Sequence, residues 1–274
     1  MLTRATTLCA IFASLAFGVQ AKETVTVTGS TSVSHVVEVL AETYSLANKE
    51  YFIAVQGVGS SAGIIAIKQD AADIGMSSRY LKTAEINPDV QTVTIAHDGI
   101  ALVVNKNNPV SNLTKEQVSK IYHGEITNWR QVGGPDLTMA VVSRENASGS
   151  RFSFEDFMGL TQQISGQTVS DINPQVLIVN TNGTVKSLVS RNTQAIGYIS
   201  LGSVDDSVKP LSFEGVQPTL TNLESGEYKI SRPFLMLYKE KNIADNAKEF
   251  IDFVISQNGQ NIIEQRGYLA VHPQ

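Results

Sequence analysis

Between Thr24 and Met76 the chain alternates β-type runs with helical ones, and each strand-to-helix change passes through glycine and serine. Thr24-Val25-Thr26-Val27-Thr28 alternates residues of high β propensity. Gly29-Ser30-Thr31-Ser32 follows, and then Val33, Val36, Val37, Leu40, Ala41 and Tyr44 recur at the spacing of one helix face. A second run, Tyr51 to Gln56, enters Gly57-Val58-Gly59-Ser60-Ser61-Ala62-Gly63, with helical sequence from Ile64 to Gln69 and a short strand from Asp73 to Met76. Strand, polar loop, helix, strand implies a parallel sheet with helices on its faces, because parallel strands need a crossover between them.

The alternation continues with strands at Val90 to Ala96 and Ile100 to Asn105, a helix from Lys115 to Tyr122 and a turn around Trp129 and Gly133-Gly134-Pro135. Strands are expected at Leu137 to Val142, Val176 to Asn180, Ile196 to Ile199 and Pro233 to Tyr238. Helices are expected from Phe152 to Met158, from Val185 to Arg191 behind Asn182-Gly183-Thr184, and from Ala244 to Ile255 with an apolar stripe of Ala247, Phe250, Ile251 and Val254. Ile262 to Gln265 is a last helical piece, and Ser203 to Glu227 reads as irregular. The pattern divides into two α/β lobes with chain crossings near Gly99 to Asn105 and near Arg232 to Tyr238. In open α/β folds the ligand sits beyond the carboxyl ends of the strands, so the polar loops converge on one cleft.

The N-terminus sets the compartment. Arg4, the apolar run Ala10 to Val19 and the small residue Ala21 have the layout of a secretory signal peptide, with cleavage expected after Ala21. Cys9 leaves with it, so the mature chain carries no disulfide and no thiol chemistry. About 250 residues remain, enough for a sizeable core without staples. The formal net charge of −5 becomes −6 once Arg4 is removed, which argues against nucleic acid or an anionic membrane as partner.

Four strand-to-helix loops are rich in small polar residues: Gly29 to Ser32, Gly57 to Gly63, Gly75 to Arg79, and Arg144-Glu145-Asn146-Ala147-Ser148-Gly149-Ser150-Arg151. Taken singly, a Ser/Gly cluster before a helix is a cap. Taken together they offer hydroxyls, helix N-terminal amides and an arginine fork, which is the equipment for a compact oxyanion such as phosphate or sulfate. They have few of the carboxylates and histidines that a metal site needs, and no aromatic stacking or mixed acid–base clamp of a sugar or amino-acid site. No metal and no cofactor is expected.

With these loops in place, the chain resembles the periplasmic phosphate-binding proteins of high-affinity phosphate ABC importers, which have the two-lobed class II substrate-binding fold. The resemblance runs from about Thr24 to His272. It rests on Gly-Ser-Thr-Ser at 29–32, Gly-Val-Gly-Ser-Ser-Ala-Gly at 57–63, Ala-Asp-Ile-Gly-Met-Ser-Ser-Arg at 72–79, Asp-Gly-Ile-Ala-Leu-Val-Val-Asn at 98–105, Gly-Glu-Ile-Thr-Asn-Trp at 124–129, the octet at 144–151 and Ala-Ile-Gly-Tyr at 195–198. It implies an α/β fold in which each lobe is a mixed, mostly parallel sheet flanked by helices, with the ligand cleft between lobes. The first lobe would comprise residues 22–102 and 233–274, and the second residues 103–232.

By the same resemblance, Thr31 and the Ser32 amide hold the anion from the first helix start and Ser60 from the second. Arg144, Ser148, the Gly149 amide and Ser150 hold it from the other lobe. Ser78 stands where the best-known members carry an aspartate that accepts a bond from protonated phosphate. A serine there can accept such a bond but repels sulfate less, and Asp98 is a substitute acceptor. Arg79 either contributes charge or pairs with an acid. The function implied is capture of phosphate in the periplasm, by a monomer that is not an enzyme, for an inner-membrane ABC permease.

The rivals are binding of another tetrahedral oxyanion, sulfate, and a serine hydrolase. Gly59-Ser60-Ser61-Ala62-Gly63 matches the G-x-S-x-G elbow, with Ser61 as nucleophile. A hydrolase also needs a downstream acid and histidine, and the only histidine after residue 123 is His272.

Overall fold

The computed structural model describes residues 23–271. The segment read as a signal peptide, the cleavage site expected after Ala21 and Cys9 lie outside these residues, as does His272.

β1 (Glu23–Gly29), β2 (Tyr51–Gly57) and β3 (Ile74–Ser77) pair in parallel around β1. α1 (Thr31–Ala47) and α2 (Ser60–Lys68) make the crossovers. The reason is the one read from the pattern: Val33, Val36, Val37, Leu40, Ala41 and Tyr44 are all buried on one face of α1. Burying each large apolar side chain there contributes about 1.5–3 kcal/mol.

The two strands expected at Val90 to Ala96 and Ile100 to Asn105 are one, β4 (Val90–Val104). His97, Asp98 and Gly99 between them do not break the ladder, because the return strand Ser231–Lys239 pairs antiparallel along β4 from Val90 to Gly99. From Ile100 to Val104 the partner changes to the strand Ala195–Ser200. A single sheet path therefore runs β2, β1, β3, Ser231–Lys239, β4, Ala195–Ser200, Ala140–Arg144, Leu177–Val179. The last three strands are again mutually parallel.

The hydrophobic side chains separate where the pairing changes. Val25, Val27, Ile74, Met76, Ile95, Ala96, Phe234 and Met236 form one core with the buried face of α1 and the stripe of the helix Asp245–Ile255, while Ile64 and Ile67 of α2 pack on Leu235 and Leu237 in a smaller cluster of the same lobe. Ile100, Leu102, Val104 and the aromatic cluster of Tyr122, Phe154 and Tyr198 supply the other, together with Ile230. Ala101, Val103, Val142, Val185, Val189 and Ile199 form a further cluster beside the second core, so the clusters fall into two sets, one for each lobe. The change falls at Gly99 on β4, slightly before residue 102, and between Ile230 and Phe234 on the return strand.

In the second lobe α3 (Lys115–His123), α4 (Gly149–Met158) and α5 (Asn182–Arg191) cover the sheet. α5 starts at Asn182, earlier than expected, because Thr181 is its cap: the Thr181 hydroxyl accepts from the Thr184 amide. The stretch read as irregular, Ser203 to Glu227, holds two short bridging strands and the helix Leu220–Glu224. The final helix spans Gln257–Gln265, longer than its apolar residues signal, with Ser256 as its cap.

Candidate functional site

Three helix starts face one another across the cleft. At α1 the Ser30 hydroxyl accepts from the Ser32 and Val33 amides at 3.2 and 3.3 Å. Its proton is thereby free to go forward, and it donates to Ser78 Oγ at 2.9 Å. At α2 the Ser60 hydroxyl accepts from the Ser78 amide at 3.0 Å and lies 3.4 Å from Ser78 Oγ. At α4 the Ser148 hydroxyl caps the helix by accepting from the Arg151 amide at 3.2 Å. Ser30, Ser32, Ser60, Ser78, Ser148 and Ser150 are all at most 3 % exposed, so these hydroxyls meet one another and not water.

Contacts between the lobes are short. Ser32 Oγ and Ser150 Oγ are 3.1 Å apart, and Asn182 Nδ2 donates to Ser32 Oγ at 3.0 Å. The Ser61 amide donates to the Ala147 carbonyl at 3.2 Å. A Cβ on Gly149 would stand 2.3 Å from Ser60 Oγ and 2.5 Å from Ser78 Oγ. Glycine at 149 is what lets the start of α4 approach the opposite lobe this closely.

Arg144 ends the strand Ala140–Arg144 and is fully buried. Its guanidinium makes a fork to Glu145, with Nε to Oε2 at 3.0 Å and Nη2 to Oε1 at 3.1 Å. Nη2 also reaches the Asn180 carbonyl at 2.7 Å and Thr31 Oγ1, across the cleft, at 3.0 Å. Nη1 donates to Asn182 Oδ1 at 3.1 Å. The strand end is held from below by the Tyr198 hydroxyl, which accepts from the Arg144 amide at 3.3 Å and pairs with Ser143 Oγ at 2.9 Å. Burial pushes the Tyr198 phenol up to about 12, so it is a neutral hydrogen-bonding support.

All eight residues expected from the sequence, Thr31, Ser32, Ser60, Ser78, Arg144, Ser148, Gly149 and Ser150, thus lie along this cluster, but two are engaged differently from expectation. The Ser32 amide is already taken by the Ser30 cap. Ser78 was expected to accept, yet both acceptor positions of its hydroxyl are filled, by Ser30 Oγ and by Arg232 Nη1 at 3.3 Å, leaving it a donor. Asp98 does not take its place as an acceptor facing the cluster. Both of its contacts from Arg232 go to Oδ2, and burial raises its carboxyl pKa against the pull of that guanidinium. Arg79 pairs with an acid: it grips Glu85 with two bonds of 2.7 and 2.8 Å.

The sequence did not single out Ser30, Asn182 or Arg232. Ser30 could have been found as the residue before a helical run. Asn182 read only as part of a helix start and Arg232 only as the edge of a crossing; nothing local pointed either to the cluster, which they reach through the packing of the second lobe and through the return strand. Arg144 is therefore not the only cation here; Arg232 Nη1 donates to Ser150 Oγ at 2.6 Å.

Residues 18–258 match the model of the PBP superfamily domain. The phosphate-binding protein PstS of Borreliella burgdorferi is 31 % identical over 251 residues, covering 90 % of each chain. The chain belongs to the PstS family of the PBP superfamily. Among solved structures, a putative phosphate ABC transporter substrate-binding protein from Clostridium perfringens, with phosphate bound, superposes with a TM-score of 0.85 at 42 % identity, over 91 % of this chain and all of that one. An ABC-type phosphate transport receptor from Vibrio cholerae superposes with a TM-score of 0.76 at 49 % identity, over 91 % of this chain and all of that one. The match covers both lobes, so the two-lobed class II architecture holds for the whole described chain.

Proposed function

We propose that the protein binds inorganic phosphate between its lobes in the periplasm and delivers it to an inner-membrane ABC permease for high-affinity uptake. The observation that carries this reading is the convergence of buried hydroxyls and helix starts from both lobes on Arg144. The phosphate-binding and phosphate-transport relatives support the choice of anion. The working form is a monomer released from its signal peptide after Ala21. The lobes, residues 22–102 with 233–274 and residues 103–232, rotate about the two chain crossings and close on the dehydrated anion. Thr31, Ser32, Ser60, Ser78, Arg144, Ser148, Gly149 and Ser150 form its shell. Because Arg144 is already neutralised by Glu145, affinity rests on many short donor bonds and on the helix N-termini more than on net charge.

The protein acts without chemistry. The Ser61 hydroxyl accepts from Arg79 Nη2 at 3.1 Å, and a guanidinium cannot take the proton that a nucleophilic serine must lose. Sulfate is the second reading, favoured by one observation: Ser78, as a donor, does not reward a protonated ligand.

Isothermal titration of the mature protein with phosphate, sulfate and arsenate tests both readings. Tight phosphate binding is expected, with arsenate following it. Arg144→Ala should cost about 2–5 kcal/mol of phosphate binding by leaving a buried anion under-compensated. Unchanged phosphate affinity in that variant would overturn the site, and sulfate binding without phosphate binding would overturn the choice of ligand.

A further inference from the structure

Arg232 lies where the return strand crosses between the lobes, directly opposite Asp98 in the antiparallel register. Both side chains are buried, at 2 % and 1 % exposure. A guanidinium paired for stability alone would set two N–H groups against two carboxylate oxygens. Here Nε and Nη2 both go to Oδ2, at 3.0 and 2.8 Å, and Oδ1 receives nothing from the guanidinium, with the Ser200 hydroxyl and the Gly202 amide as the carboxylate's other neighbours. The third nitrogen, Nη1, turns away from the carboxylate into the cleft. There it donates to Ser150 Oγ of one lobe and Ser78 Oγ of the other.

We infer that Arg232 is a second cation of the site, supplied by the crossing itself and acting on the anion through the Ser78 and Ser150 hydroxyls that it orients, and that Asp98 is the positioning residue that aims it. The inference rests on the reading of this cleft as a phosphate site and deepens it. A cation on the crossing is carried away by neither lobe, so it can meet the anion before closure and a hydroxyl from each lobe after it. By filling acceptor positions on Ser78 and Ser150, Nη1 also turns their protons toward the ligand. In the closed form the anion meets Arg144 from the second lobe and, from the crossing, the Ser78 and Ser150 protons that Arg232 directs, each guanidinium held by its own carboxylate.

The test is phosphate and sulfate titration of the mature protein and of Arg232→Lys, Arg232→Met, Asp98→Asn and the double variant Arg232→Met with Asp98→Asn. Folding of each is checked by thermal unfolding without ligand. Removing one partner of a buried pair destabilises, so the double variant, with no charge left unpaired, carries the test should Arg232→Met not fold. Phosphate affinity is expected to fall on the order of a hundredfold in Arg232→Met and in the double variant. Arg232→Lys should recover part of it, and Asp98→Asn should weaken binding while the cation remains. The ratio of sulfate to phosphate dissociation constants should rise in Arg232→Met, because Ser78 regains an acceptor position for a protonated ligand. A merely structural pair would lower stability and move neither affinity nor ratio. Should wild type fail to bind phosphate, the reading of the cleft fails. Should wild type bind phosphate while the folded variants keep its affinity, the inference about Arg232 alone is overturned.

Discussion

Gly149 shows how much of this site is decided by single atoms. Its missing Cβ is the space into which Ser60 and Ser78 reach from the opposite lobe. Gly149→Ala is expected to leave the unliganded fold intact, since the residue is in ordinary helical backbone at the start of α4. It should weaken phosphate binding by at least about tenfold, because overpacking a tight contact costs roughly 1–3 kcal/mol. Titration beside thermal unfolding separates the two effects; full affinity in that variant would show that the lobes do not close on this contact. At this scale the serines and Arg144 were legible, because the chemistry of a helix start is carried by neighbours in sequence. Asn182 and Arg232 were not, because each reaches the cluster over a long separation, 150 residues from Ser32 in one case and 82 from Ser150 in the other. The direction of the Ser78 hydroxyl was also hidden, since it depends on which donors fill its lone pairs.

The elements that meet across the cleft do so at helix ends, and α4 carries a contact that the anion chemistry does not require. Phe152, in its first turn, lies under both Arg79 and Lys82 of the first lobe, each 5.0 Å from the ring centroid. Arg79 is held flat by its fork to Glu85, so the ring slides beneath a preset surface. Each such contact is worth about 0.5–1 kcal/mol, and it exists only when α4 stands against the first lobe. Phe152→Ala should therefore speed phosphate release and weaken binding about tenfold, with the change in the dissociation rate rather than the association rate. Stopped-flow measurement of both rates checks this, and an unchanged release rate would remove the clasp from the mechanism. The elements themselves were largely legible from apolar spacing. Their limits were missed where a polar cap, not an apolar residue, sets the end, as Thr181 does for α5 and Ser256 for the last helix. The fusion of two strands into β4 was missed because His97-Asp98-Gly99 looks like a break and is held extended only by its distant partner Ser231-Arg232-Pro233.

The whole molecule is two lobes joined by two strands, and tyrosines are among its buried polar groups. Tyr122 donates to the Val142 carbonyl at 3.1 Å, and Tyr228 donates to the Ile100 carbonyl at 2.8 Å beside the crossing. With Tyr198 and Tyr268 they make four phenols that burial pushes above the ordinary tyrosine value. The sign follows from linkage. A phenol whose pKa is raised by folding keeps its proton in the native state after the unfolded chain has lost it. Its contribution is fully present below about pH 10 and is lost as pH climbs toward the native value. Each such group costs about 1 kcal/mol between pH 10 and 11, where the unfolded phenol goes from half to nearly fully ionised, so four together cost about 4 kcal/mol, a large part of the whole stability of many domains. The urea midpoint without phosphate is therefore expected to hold steady to pH 9 and to collapse by pH 11. Because Tyr228 and Tyr198 support the crossing and the base of Arg144, phosphate added at pH 11 should restore part of that midpoint by binding only the folded form. A midpoint unchanged at pH 11 would mean that these phenols ionise without unfolding the chain, and that the cores do not hold them as the geometry requires.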